Sequence, residues 1–196
     1  SGDAAAGGCN SDNTGVEGSV RAGYDWQFGS IVAGLVAEWS ATDVSDTVTG
    51  FSSTPASYVF KRELTDMAAL RARLGYATGP ALVYVTGGGA YGGIENSFRT
   101  TNTANSFATQ KDEDKADGWQ AGAGLEWRLA PNLSVTGEYL YTSLSTDDYV
   151  VRAGNTGTTP ATNPFILAPN TTGTDIARSS DEMKLHAFRI GMNVRF

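Results

Sequence analysis

Seven stretches of this chain alternate apolar and polar residues one by one, and the links between them are short and long in turn. The last stretch, residues 187–196, shows the pattern most plainly. Phe188, Ile190, Met192, Val194 and Phe196 share one parity; Ala187, Arg189, Gly191, Asn193 and Arg195 share the other. Successive side chains of a strand point to opposite faces, so period two means a strand with one apolar and one polar face.

The other stretches repeat it. Val20, Ala22, Tyr24, Trp26 and Phe28 oppose Ser19, Arg21, Gly23, Asp25 and Gln27, and Ile31 to Trp39 oppose a list that includes Glu38. Ala68, Leu70, Ala72, Leu74 and Tyr76 oppose Met67, Ala69, Arg71, Arg73 and Gly75. Trp119, Ala121, Ala123, Leu125 and Trp127 oppose Gln120, Gly122, Gly124, Glu126 and Arg128. Leu133, Val135, Gly137, Tyr139 and Tyr141 oppose Ser134, Thr136, Glu138, Leu140 and Thr142. Residues 81–94 are blurred, with Val83, Val85 and Tyr91 assigned to the apolar side.

Tight links follow the first, third and fifth strands, at residues 29–30, 78–80 and 130–132. Long polar loops follow the second, fourth and sixth, at 41–64, 95–117 and 146–184. Compact domains seldom carry three such loops. Alternating short and long connections are the pattern of an all-β, antiparallel up-and-down barrel with one plain rim and one elaborated rim, as in transmembrane barrels.

The pattern alone leaves open which face is the core. A soluble sandwich or lipocalin-like barrel would turn the apolar face inward. Two features favour the inverse arrangement. The polar list is rich in glycine and serine, which suit a narrow lumen. The aromatics of the apolar list also sort by height when the long loops are placed at the top. Trp26, Phe28, Tyr76, Trp127 and Phe196 fall at the bottom; Trp39, Tyr91, Trp119, Tyr139 and Tyr141 fall at the top. Aliphatic residues lie between, as in two interfacial girdles about a lipid-facing band. A soluble core has no reason to sort its aromatics this way.

Seven antiparallel strands would leave the first and last parallel, and an open edge in lipid costs several kcal/mol per unsatisfied backbone group. The expectation is therefore eight strands, with the first one N-terminal to residue 1 and residues 1–18 the remainder of the first upper loop. The whole of 1–196 reads as one barrel domain. Residues 1–15 carry neither a basic start nor an apolar run, so no signal peptide is visible. An exported protein would then be a processed or incomplete chain.

An eight-stranded barrel is just wide enough for side chains to fill it. The inward list holds Arg21, Arg71, Arg73, Arg128, Arg189 and Arg195 with Asp25, Glu38, Glu126 and Glu138, so the expected lumen is a plug of ion pairs. Catalysis is poorly supported, because the single histidine, His186, has the outward parity at the upper rim. Cys9 is the only cysteine, which excludes an intramolecular disulfide and any cysteine-built zinc or haem motif. Gly87, Gly89 and Gly92 match a dinucleotide fingerprint but open no helix. Asp112, Asp114 and Asp117 miss the EF-hand spacing. No cofactor or metal is expected.

With 21 acids against 14 bases, the chain is unsuited to nucleic acid. The loops and rims are acidic, and would meet divalent cations, lipopolysaccharide phosphates or a neighbouring protein.

The segments AGYDWQFGSIVAGLVAEWS, LRARLGYATGPALVYVTGGGAYGG, AGAGLEWRLAPNLSVTGEYLYTSL and FRIGMNVRF resemble the small OmpA-like outer-membrane barrels of alpha-proteobacteria, described as porin-like surface or immunogenic proteins. The resemblance covers the seven strands and tight turns, not the long loops. It implies an eight-stranded barrel, export by signal peptide, insertion by the barrel-assembly machinery and a structural or surface-antigen role. It also implies that Phe188, Ile190, Met192, Val194 and Phe196 form the assembly signal. Two rival functions stay open: a narrow pore, and an adhesion or lattice module built on loop 146–184. In that loop Phe165, Ile166 and Leu167 would pack on the barrel or meet a partner. The partner could equally be a second copy or another envelope protein.

Overall fold

The computed structural model describes residues 17–51, 56–109, 113–146, 149–177 and 182–196; Cys9 and most of the expected first loop lie outside them. Among the described residues ten strands follow one another: β1 (Glu17–Phe28), β2 (Ile31–Phe51), β3 (Ser57–Thr78), β4 (Ala81–Thr100), β5 (Asn105–Thr109), β6 (Glu113–Ala130), β7 (Leu133–Ser145), β8 (Val150–Asn155), β9 (Thr174–Ala177) and β10 (Glu182–Val194). A 3₁₀ turn, Pro164–Ile166, precedes β9.

Seven of them form one antiparallel sheet in the order β1-β2-β3-β4-β6-β7-β10, each strand beside its sequence neighbour in that sheet. These are the seven strands read from the alternation. The lower turns are as tight as expected, with Gly29 and Gly79 at φ 63° and 57°, where residues other than glycine are strained.

The stretches expected as long loops are largely regular. β2 and β3 run on as a hairpin, pairing Val44 with Leu64 and Phe51 with Ser57, and β4 continues to Thr100. Here the pattern inverts. Tyr58, Phe60, Arg62 and Leu64 are buried, whereas Met67, Ala69 and Arg71 are the buried residues lower on the same strand. A register shift between Leu64 and Asp66 exchanges the parities. Below the shift the outward side chains face lipid and must be apolar. Above it they face water, so the larger apolar side chains turn inward, as in a soluble sheet.

Residues of the expected loops 95–117 and 146–184 also build a second sheet, in the order β5-β8-β9. It caps the upper end through a cluster of Tyr58, Phe60, Tyr149 and Val151 with Phe98, Phe107, Phe165 and Ile176 against them. Phe60 and Phe98 stand 4.9 Å apart, and Tyr58 meets Phe165 edge-on at 5.8 Å. Asn105 and Asn163 tie the layers together, Nδ2 of Asn163 donating to Oδ1 of Asn105 at 2.9 Å. Of the apolar loop triplet, Phe165 and Ile166 pack into this cap and Leu167 is exposed.

β1 and β10 are the two edges of the large sheet and run parallel to each other across a cleft of about 1720 Å³. Phe188 and Ile190 on β10 are 87% and 89% exposed, against 47% for Leu35 and 46% for Leu125 on interior strands. The excess measures the lateral neighbour that an edge strand lacks.

The charged lumen as candidate functional site

Inward residues of the seven strands meet in one connected polar network. Arg71 on β3 is at its centre. Its Nη1 donates to Glu138 of β7 at 2.5 Å and its Nη2 to Glu38 of β2 at 2.9 Å. Glu138 also accepts from the Tyr84 hydroxyl at 2.9 Å and from Arg21 at 3.4 Å. Glu38 is shared with Arg189, which pairs in turn with Glu17. Bonds from β3 to β7 and from β10 to β1 are possible only because the sheet curls round and brings its two ends together.

A second knot lies lower. Glu126 accepts from Ser134 at 2.6 Å, Arg195 at 2.6 Å and Arg73 at 3.0 Å. Arg73 also pairs with Asp25 and lies 4.9 Å over the Tyr84 ring. The knots are joined through Asn193, whose Oδ1 accepts from Arg21 at 2.7 and 3.0 Å and whose Nδ2 donates to Thr136 and Ser134. Arg21, Arg71, Arg73, Arg189 and Arg195 face Glu17, Asp25, Glu38, Glu126 and Glu138, so the formal charges cancel.

Such charges are tolerable in a narrow interior only because each is paired and hydrogen-bonded; removing one partner of a buried pair costs about 3–5 kcal/mol. On the β4–β6 wall the packing is close. A Cβ on Gly124 would lie 2.5 Å from the Tyr84 ring, so the aromatic fills the space that glycine leaves.

Nine of the ten charges expected in the lumen belong to this network. Arg128 does not: it is exposed at the lower rim and no ion pair is found for it among the described residues. It stands opposite Ser134, one step beyond Glu126, where the barrel opens to water. Sequence reasoning missed Glu17, Tyr84 and Asn193. Glu17 falls at the end of the expected first loop, although it has the inward parity of Arg21. Tyr84 sits on the blurred strand, and Asn193 carries no charge to draw notice.

The lumen is not polar throughout. Directly above the arginines, Leu64, Met67, Ala69, Ala90, Ile94, Ala116, Leu144 and Met183 form a buried apolar storey. Below the cap's aromatic cluster, this makes a second apolar layer along β3, β4, β6, β7 and β10.

On the outside, the girdle residues Trp26, Phe28, Trp39, Tyr76, Tyr91, Trp119, Trp127, Tyr139 and Phe196 are exposed. Tyr141 is half-buried between Trp119 and His186. Ile190, Met192 and Val194 share the exposed face of β10 with Phe188 and Phe196. His186 faces outward, its Nδ1 2.6 Å from the Tyr139 hydroxyl, and no residue of the lumen could use it as a base. No helix of the described residues is long and apolar enough to cross a membrane, which says nothing of strands. Among the described residues no group of three or more His, Cys, Asp or Glu could hold a metal ion.

A profile of the outer membrane protein beta-barrel domain matches residues 2–196. The 31 kDa outer-membrane immunogenic protein of Brucella melitensis biotype 1 is 32% identical over 187 residues, which are 93% of this chain and 67% of that protein. The 22 kDa outer membrane protein of Rhizobium leguminosarum bv. viciae is 31% identical over 144 residues, 72% of this chain and 58% of that protein. No solved structure matches the chain.

Proposed function

The chain belongs to the outer membrane protein beta-barrel family and resides in the bacterial outer membrane, and from that premise we propose that it is a structural barrel with a plugged lumen and a folded external cap, serving as a surface antigen. The observation that carries this reading is the position of Arg71, held between Glu38 and Glu138 in mid-lumen. An ion entering there would have to displace paired charges and then cross the apolar storey of Leu64, Ile94 and Leu144. That second barrier disfavours the narrow-pore reading.

In this reading the long-connection end is extracellular, the cap is the antigenic surface, and one further strand, antiparallel to both edges, fills the cleft between β1 and β10. The outward row Phe188, Ile190, Met192, Val194 and Phe196 is what the barrel-assembly machinery reads. The similarity to an outer-membrane immunogenic protein of Brucella melitensis supports the antigen role. Single-channel recording on the full chain in planar bilayers tests the plug. The expected trace shows no sustained conductance; steady, large openings would overturn the reading.

A further inference from the structure

The lipid-facing wall is not uniform along its upper rim. On three adjacent strands, β6, β7 and β10, the girdle becomes a continuous patch of rings. Trp119 and Tyr141 lie 5.3 Å apart, Tyr141 meets His186 edge-on at 5.0 Å, and Tyr139 meets Phe188 at 4.9 Å. Lys184 is two residues above His186 on the same outward parity, more than half exposed, with its Nζ 2.9 Å from Glu182.

The imidazole of His186 is oriented. With Nδ1 2.6 Å from the Tyr139 hydroxyl, a neutral ring that accepts from Tyr139 at Nδ1 keeps its hydrogen on Nε2, whereas the other tautomer donates from Nδ1 and presents Nε2 as an acceptor. A protonated ring donates from Nδ1 to the tyrosine oxygen and still carries a hydrogen on Nε2. Nε2–H is a donor in the first tautomer and in the protonated ring. An imidazole held by Tyr139 and an ammonium just above a ring platform match an anionic oxygen cluster at headgroup height. Interfacial aromatics hold the boundary between headgroups and chains.

We propose that this patch binds a phosphorylated lipid of the outer leaflet, its phosphate against Lys184 and His186 and its acyl chains along Phe188. Among the described residues Lys184 pairs with Glu182, which also accepts from Ser143 at 2.7 Å, and the phosphate takes the place of that carboxylate. The inference rests on the membrane reading above. A lipid A phosphate and a glycerophospholipid phosphate share the chemistry, and the experiment separates them.

The test is native mass spectrometry of the refolded full chain offered diphosphoryl lipid A, phosphatidylglycerol and, as the phosphate-free control, diacylglycerol. Wild type is expected to retain a phosphorylated lipid and not diacylglycerol. Lys184→Gln with His186→Gln is expected to lower retention about tenfold, the scale of one charge-assisted hydrogen bond, and Lys184→Arg alone to preserve it. Preferential retention of lipid A or of phosphatidylglycerol identifies the source, and either supports the site. Equal retention by the double variant, or equal retention of diacylglycerol, overturns it. Heat-modifiable migration on a gel is read in parallel. Its loss in wild type speaks against the barrel reading, whereas an intact barrel without phosphate-dependent retention sinks this inference alone.

Discussion

Arg71 and Glu138 meet at 2.5 Å with 1% and 4% of their side chains exposed, although 67 residues separate them in the chain. Glu38 completes the triad at 2.9 Å. Removing the cation alone leaves two buried carboxylates facing each other. Arg71→Met should cost about 3–5 kcal/mol in urea unfolding from lipid vesicles. Adding Glu38→Gln should recover part of the loss, since Arg189 keeps Glu17 as its partner. A single variant as stable as wild type would show that the pair does not hold the barrel together.

Depth in the membrane should set the cost of charge on the outer wall. Ala123 lies on the lipid-facing parity of β6, midway between Trp119 and Trp127; Ser97 has the outward parity of β4 above the girdle. Ala123→Arg is expected to destabilise by about 2–4 kcal/mol and Ser97→Arg by about 0–1 kcal/mol. The same unfolding measurement compares them. Equal costs would mean that the two sites face the same medium.

The cap should loosen without the barrel. Phe60 is buried and touches Phe98 at 4.9 Å and Tyr149 at 6.4 Å. Phe60→Ala should remove about 3–5 kcal/mol of local packing, seen as protease cleavage within residues 150–177 and faster amide exchange in β5, β8 and β9. Exchange in β6 and β7 should be unchanged. Uniform loss of protection would show that cap and barrel unfold as one unit.

Deleting Phe196 should separate assembly from stability. Phe196 is fully exposed and makes no ring contact among the described residues, so refolding in detergent should be near wild type. The amount reaching the outer membrane of expressing cells should fall. Unchanged surface yield would remove the assembly role of the terminal row.

The architecture was legible in the sequence because lipid imposes a local rule. Every second residue on a strand in the bilayer must be apolar, so the parities of Trp26, Leu35, Leu74, Ala123 and Ile190 could be assigned without knowing any contact. The sorting of tryptophan and tyrosine by height followed from the two interfaces for the same reason. Lumen pairing is not local. Which arginine meets which carboxylate depends on the stagger of strands round the barrel, which is why Arg71 bridges β2 and β7 while Arg128 is left at the rim. Above the girdle the medium changes to water, the parity rule reverses at the shift between Leu64 and Asp66, and residues that looked like loop became the wall of a cap. Its aromatic cluster joins Tyr58, Phe98, Phe107 and Phe165, which are far apart in the chain and share no periodicity. The sequence by itself determined the strands and the face each turns to lipid; the charge partners, the apolar storey and the cap were decided only when the strands were brought side by side.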